Sequence, residues 1–115
     1  MSAIEIFTVP RNYRPQKLLA SIVKAGPVVV YGFTVYNTKA SAQYLNVFEA
    51  DALPGDGSVP IFSWPLAANN GVGFSYMPNG CRFGAGLVLC NSSTDSAKTI
   101  GSADCLFDVQ YDELD

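Results

Sequence analysis

The chain has no histidine and only three cysteines, Cys81, Cys90 and Cys105, none of them in a C-x-x-C pair. The first absence excludes a Ser-His-Asp or Cys-His centre built from this chain alone. The second, with no imidazole to complete a ligand set, excludes the ordinary zinc sites. Charge is scarce as well: 15% of residues are Asp, Glu, Lys or Arg, against about 25% in typical soluble domains. Uncharged surface of that extent invites coverage by partner subunits. No apolar run approaches the roughly 18 residues of a membrane span, and MSAIEIFTVP carries Glu5 where a signal peptide has its basic region. The expectation is a protein made in the cytoplasm with no membrane partner. Nucleic acid is not an expected partner either, because the 7 basic residues are scattered and outnumbered by 10 acidic ones.

What is present is strand-forming sequence. VVVYGFTVYNTKASAQYLNVFE, residues 28 to 49, reads as two strands joined by the polar turn Asn37 to Ala42. In the first, Val29, Tyr31, Phe33 and Val35 alternate with Val30, Thr34 and Tyr36. Both sides are largely apolar, which predicts a central strand covered on both faces. In the second, Tyr44 and Phe48 oppose Leu45 and Val47. The pair is expected to form a hairpin.

Around this unit the chain divides at about residue 16. Residues 1 to 16 hold Ile4, Ile6 and Phe7 before a break at Pro10 and Pro15 around Arg11, Asn12, Tyr13 and Arg14. This is an N-terminal arm, either a first edge strand followed by a loop or an extended segment ordered on a neighbour. Residues 17 to 115 are a single domain by size. Within it KLLASIVK reads as a strand feeding the Val28 strand, although Leu18, Leu19, Ile22 and Val23 would also suit one face of a helix, and a loop with one helical turn is expected before Pro54. VPIFSWPL is an edge or bent strand because of Pro60 and Pro65, and it holds Trp64, the sole tryptophan. CRFGAGLVLCN reads as one strand bent at its glycines, and residues 104 to 111 alternate cleanly, with Cys105, Phe107, Val109 and Tyr111 on one face. Roughly seven or eight short strands parted by Gly, Asn and Pro turns make an all-β, antiparallel β-sandwich, jelly-roll-like, with an extended N-terminal arm.

The chain shows little apparatus for chemistry. Asp51 and Asp56 near two glycines lack the acidic ladder of an EF-hand. Gly84 and Gly86 lack the third glycine and the lysine of a phosphate loop, so a close backbone approach accounts for them better. No catalytic, cofactor-binding or metal residue is assigned, and no enzyme is expected. The three cysteines read as small buried apolar residues, although Cys90 and Cys105 lie in separate strands and could meet. The aromatics are spread through the strands, where core and interface packing explain them better than a sugar-binding face. Charge is bipolar: residues 1 to 40 carry Arg11, Arg14, Lys17, Lys24 and Lys39 against Glu5, whereas residues 104 to 115 carry Asp104, Asp108, Asp112, Glu113 and Asp115. Ends of opposite sign can pair copies head to tail or stay solvated.

The motifs YGFTVYNT, QYLNVF, ALPGDGSVP, CRFGAGLVLCNSST, KTIGSADC and FDVQY together resemble small virion proteins of tailed bacteriophages, over about residues 28 to 111. The resemblance implies a capsid decoration, or cement, protein on the outer head surface at capsomer junctions. It implies the major capsid protein as partner and self-association, a homotrimer being common in such proteins. Ile4, Ile6, Phe7, Arg11, Tyr13, Arg14 and Trp64 are then the expected capsid or subunit contacts. A tail, neck or fibre component is the rival within structural proteins, and a carbohydrate-binding module the rival from another class.

Overall fold

The computed structural model describes residues 11 to 14 and 16 to 114; for Arg11 the backbone alone is described. Ile4, Ile6 and Phe7 lie outside the described residues. The elements are β1 (Arg11–Tyr13), β2 (Ser21–Ala25), β3 (Val28–Asn37), β4 (Gln43–Glu49), β5 (Phe62–Leu66), β6 (Asn70–Ser75), β7 (Cys81–Phe83), β8 (Gly86–Ser92) and β9 (Cys105–Glu113). Among the described residues there is no helix, so the turn expected before Pro54 is loop.

Two antiparallel sheets stack face to face. One has the order β1-β9-β3-β6, with β7 also on β3, and is called the upper sheet; the other, β2-β8-β4-β5, is the lower sheet. The pairs β1–β9, β2–β8, β3–β6 and β4–β5 nest inside one another, which is the strand order of a jelly roll. Arg11–Tyr13, which the sequence places in the break between Pro10 and Pro15, form an edge strand instead, Tyr13 pairing with Val109; the apolar segment before Pro10 lies outside the described residues.

The hairpin expected over residues 28 to 49 does not form. Its two strands fall where the sequence places them, but β3 belongs to the upper sheet and β4 to the lower. Both present apolar inner faces: Val28, Val30, Phe33 and Val35 from β3, and Leu45 and Val47 from β4, all in one core with Leu87, Leu89, Phe107 and Val109. Periodicity cannot tell a neighbour in the plane from one across the core. The side chain of Asn37 decides it. Fully buried, its Nδ2 donates to the carbonyls of Ser41 (3.2 Å) and Ala67 (3.1 Å), while its Oδ1 accepts from the Lys39 N–H (2.9 Å) and from Gln43 Nε2 (2.7 Å). These bonds fold residues 38 to 42 into an arch between the sheets and tie it to the β5–β6 crossing.

Two further departures have local causes. A bulge at Tyr31 shifts the register between Val30 and Gly32 against β9, so inward residues change from Val28 and Val30 to Phe33 and Val35. Strict alternation counted Val29 and Tyr31 with Phe33, and so made both faces look apolar; the outer face carries exposed Thr34 and Tyr36. CRFGAGLVLCN is likewise not one strand. It breaks into β7 of the upper sheet and β8 of the lower, crossing at Gly86, where φ is +136° and an added Cβ would stand 2.6 Å from the carbonyl oxygens of both Ala50 and Lys24. Glycine is required at that crossing.

Replacing Asn37 with Ala strips the arch of these bonds and leaves the Gln43 amide and Lys39 N–H short of partners. We expect a loss of about 2–4 kcal/mol, read as a lower urea midpoint with an unchanged m-value; a shift within error of zero refutes the role given to Asn37.

Candidate functional site

The two sheets treat their outer faces differently. On the lower sheet, Asn46, Phe48, Val88, Cys90 and Ser92 point away from the main core and are nevertheless buried, Phe48, Val88 and Cys90 forming a second small cluster. The long connections on either side of that face are strapped together. Gly57 N–H donates to the Lys98 carbonyl (2.7 Å) and Lys98 N–H to the Ser58 carbonyl (2.8 Å). The Lys98 amine, only 3% exposed, is paired with the half-exposed Asp56 carboxylate, which also accepts the Ile100 N–H (3.1 Å). The amine, then the Ile100 N–H, hold the Asp56 carboxyl below its ordinary 3.8.

The outer face of the upper sheet is bare by comparison. Its β6 row presents Gly71 and Gly73 before Ser75, and Gly32 at the bulge lies directly opposite Ser75. Two depressions lie on this face. One, of 260 Å³, is lined by Tyr31, Gly32, Thr34, Gly73, Asp108 and Gln110 among others. The other, of 380 Å³, is lined by Arg14, Gln16, Thr34, Tyr36, Leu106 and Asp108 among others. They share Thr34 and Asp108 and so form one groove across β6, β3 and β9. Arg14 closes one side: its Nε (3.0 Å) and Nη2 (2.7 Å) both donate to Asp108 Oδ2. Tyr31 donates to Asp112 Oδ2 (3.2 Å), and burial followed by that carboxylate pushes its phenol up. The Tyr36 ring stands 42% exposed, its hydroxyl anchored on the Asn69 carbonyl (3.1 Å).

Of the interface residues expected from the sequence, Tyr13, Arg14 and Trp64 have described side chains, and these three do not converge. Tyr13 is half-buried against the main core at the β1 edge, so it serves the fold. Arg14 spends its guanidinium on a carboxylate of its own chain, Asp108, where the sequence reading aimed it at a partner. Trp64 sits at the opposite edge, on β5, stacked on Phe62 (centroids 6.0 Å, planes 16° apart) and edge-on to Phe74 of β6 (5.7 Å). It is 45% exposed. Near it in the chain stand Val59, 75% exposed, and Ile61, 62% exposed, which the sequence reading passed over. It passed over the groove as well, because Thr34, Gly73, Asp108 and Gln110 come from three distant segments. The signal available was the G-x-G of Gly71 and Gly73 within a strand, a row without side chains.

Among the described residues no group of three or more His, Cys, Asp or Glu is placed to hold a metal ion. All three cysteines are free. Cys90 faces outward from the lower sheet and Cys105 inward from the upper, so they do not meet. Burial pushes both thiols up to about 11; Cys105 Sγ is near two side-chain amides, Asn91 Nδ2 (3.4 Å) and Gln43 Nε2 (3.6 Å). Cys81 is partly exposed.

Two outcomes follow. Asp56 has a depressed pKa in the fold, so its stabilisation is complete above the ordinary carboxylate range and is lost as pH falls through the folded value. Thermal melts from about pH 6 to about pH 2.5 should show Asp56→Asn and wild type converging at the acid end; a constant gap refutes the strap. Iodoacetamide at about pH 8 should label Cys81 first, with Cys90 and Cys105 reacting only on unfolding, as peptide mass spectrometry will show; equal rates at all three refute their burial.

No family model matches the chain, and no curated protein matches it. A solved structure of Tobacco streak virus coat protein aligns over 94% of this chain and 90% of its own, with 10% identity and a TM-score of 0.40. Agreement at that level carries no functional argument, and the assignment of this chain to an all-β, antiparallel jelly-roll sandwich rests on its own strand order.

Proposed function

We propose that this chain is a non-enzymatic structural protein of a tailed-bacteriophage virion, a decoration protein that sits on the outer head surface at capsomer junctions and stabilises the shell. Its partners are the major capsid protein and further copies of itself, as a trimer, and it works in the virion after synthesis in the host cytoplasm. The motifs between residues 28 and 111 support the family. The observation that carries the reading is the segment leading into and along the edge strand β5, in which Val59, Ile61 and Trp64 are all exposed. Large apolar side chains exposed close together in the chain at a sheet edge suit a contact surface. Trp64, already stacked on Phe62, offers a ring with little rotamer freedom left to lose on binding.

The arrangement of edges supports assembly of more than two bodies. The β1 edge, formed by Arg11–Tyr13, and the β5 edge, with its exposed apolar residues, lie at opposite ends of the strand orders. A subunit that engages one neighbour by each edge makes head-to-tail contacts, which close into a ring where the rotation permits. Many such copies on a symmetric shell multiply weak contacts through effective concentration.

The test is to mix the purified protein with undecorated heads of its own phage and image them by cryo-electron microscopy. Ordered density at symmetric capsid sites is the expected result, and a Val59→Ser, Ile61→Ser double variant, exposed at both positions, should fold normally and leave the heads bare. Bare heads with wild-type protein, together with labelling at the tail of intact virions, would replace this reading with a tail or fibre component.

A further inference from the structure

The groove on the outer face of the upper sheet has no part in the β5-edge contact proposed above, and its chemistry is specific. We propose that it is a binding site for a neutral oligosaccharide.

Three features lead there. The first is charge. Arg14 and Asp108 neutralise each other at the groove's side, and the other side chains lining the two depressions, Tyr31, Thr34, Tyr36, Gln110 and Leu106 among them, are uncharged. A phosphate, a sulfated chain or a cation would find no net opposite charge here, whereas a neutral ligand loses nothing. The second is hydrogen-bonding capacity. The Thr34 hydroxyl and the Gln110 amide belong to exposed residues and make no hydrogen bond among the described residues. Donors and acceptors on one small surface suit a ligand whose hydroxyls each do both. The third is shape. Exposed Gly73 leaves backbone open to close approach by a flat ring, while the exposed face of Tyr36, held by its hydroxyl on Asn69, offers the apolar platform on which the C–H face of a sugar packs. Two depressions of 260 and 380 Å³ meeting at Thr34 and Asp108 suit successive sugar units in line.

Gly73 supplies a clean variant. An added Cβ there would meet only Thr34 Oγ1 at 3.6 Å and the Phe33 carbonyl at 3.8 Å, ordinary contact distances. Gly73→Val therefore fills the groove from a strand position that favours a β-branched residue, without a clash at the point of attachment. The probes are a panel of neutral hexasaccharides (cello-, malto-, xylo- and manno-series), with dextran sulfate as the anionic control, titrated into the full-length protein and followed by amide chemical shifts. The expected result is saturable shifts at Thr34, Gly73 and Gln110 with at least one neutral member. Gly73→Val and Tyr36→Ala should each weaken that binding about tenfold or more, with the Gly73→Val thermal midpoint unchanged or raised. No saturable shift with any neutral member, shifts mapping elsewhere, preference for dextran sulfate, or unaltered binding by Gly73→Val overturns the proposal. Gly73→Val should still decorate heads, so failure of the glycan site and failure of the capsid reading are separate results.

Discussion

The buried amide of Asn37 is the constraint on which the architecture turns. A primary amide offers two donors and an acceptor oxygen with two lone pairs, and here they are shared among the arch that follows β3, the start of β4 and the crossing from β5 to β6. Were that side chain satisfied locally by solvent, a polar five-residue link would permit β4 to lie beside β3 in the same sheet. Buried, it must find partners in the protein, and those partners exist only if the chain leaves the upper sheet and enters the lower. The separation of β3 from β4 then sets what each pairs with. β3 takes β9 and β6, and β4 takes β8 and β5, which is the nested order of the whole roll.

With the sheets so assigned, the inner faces are determined by apolar side chains and the outer faces by what the connections do. The lower sheet buries Phe48, Val88 and Cys90 on its outer side as well. The loops beside it are joined by backbone bonds and by a lysine whose amine is out of water and therefore needs a carboxylate. The upper sheet keeps a polar and glycine-rich outer face in place of such a cover. The bulge at Tyr31 is what makes this face, since it turns Phe33 and Val35 inward and leaves Thr34 and Tyr36 outside. One sheet thus presents an occupied back and the other an open groove, while Val59, Ile61 and Trp64 stand exposed on and just before β5. The proposed contact with large partners and the proposed ligand site therefore use different parts of the surface.

Much of this was legible in the linear pattern. Period-2 alternation located β4 and β9 and most of β3, the prolines around Phe62 marked β5 as an edge strand, and the paired glycines after Phe83 marked a close backbone approach. These are local properties: a strand's alternation, a proline's missing donor and a glycine's missing Cβ act within a few residues of where they are written. The missing histidine and the unpaired cysteines, equally local, limited the chemistry before any fold was known.

What the tertiary structure alone decided are the relations between distant segments. Alternation is the same whether an apolar face meets its partner across the core or beside it in a sheet, so the sequence could not distinguish a hairpin from an arch at Asn37. A one-residue bulge inverts the parity of everything after it, and nothing local to Tyr31 announces it; its cause is the register with β9, more than seventy residues away. The same holds for surfaces. Arg14 was legible as a cation in search of an anion, but that its anion is Asp108 of the same chain follows from β1 and β9 being neighbours. Composition and alternation made this protein an all-β sandwich; pairing, which depends on long-range geometry and the satisfaction of buried polar groups, made it this jelly roll with one open face.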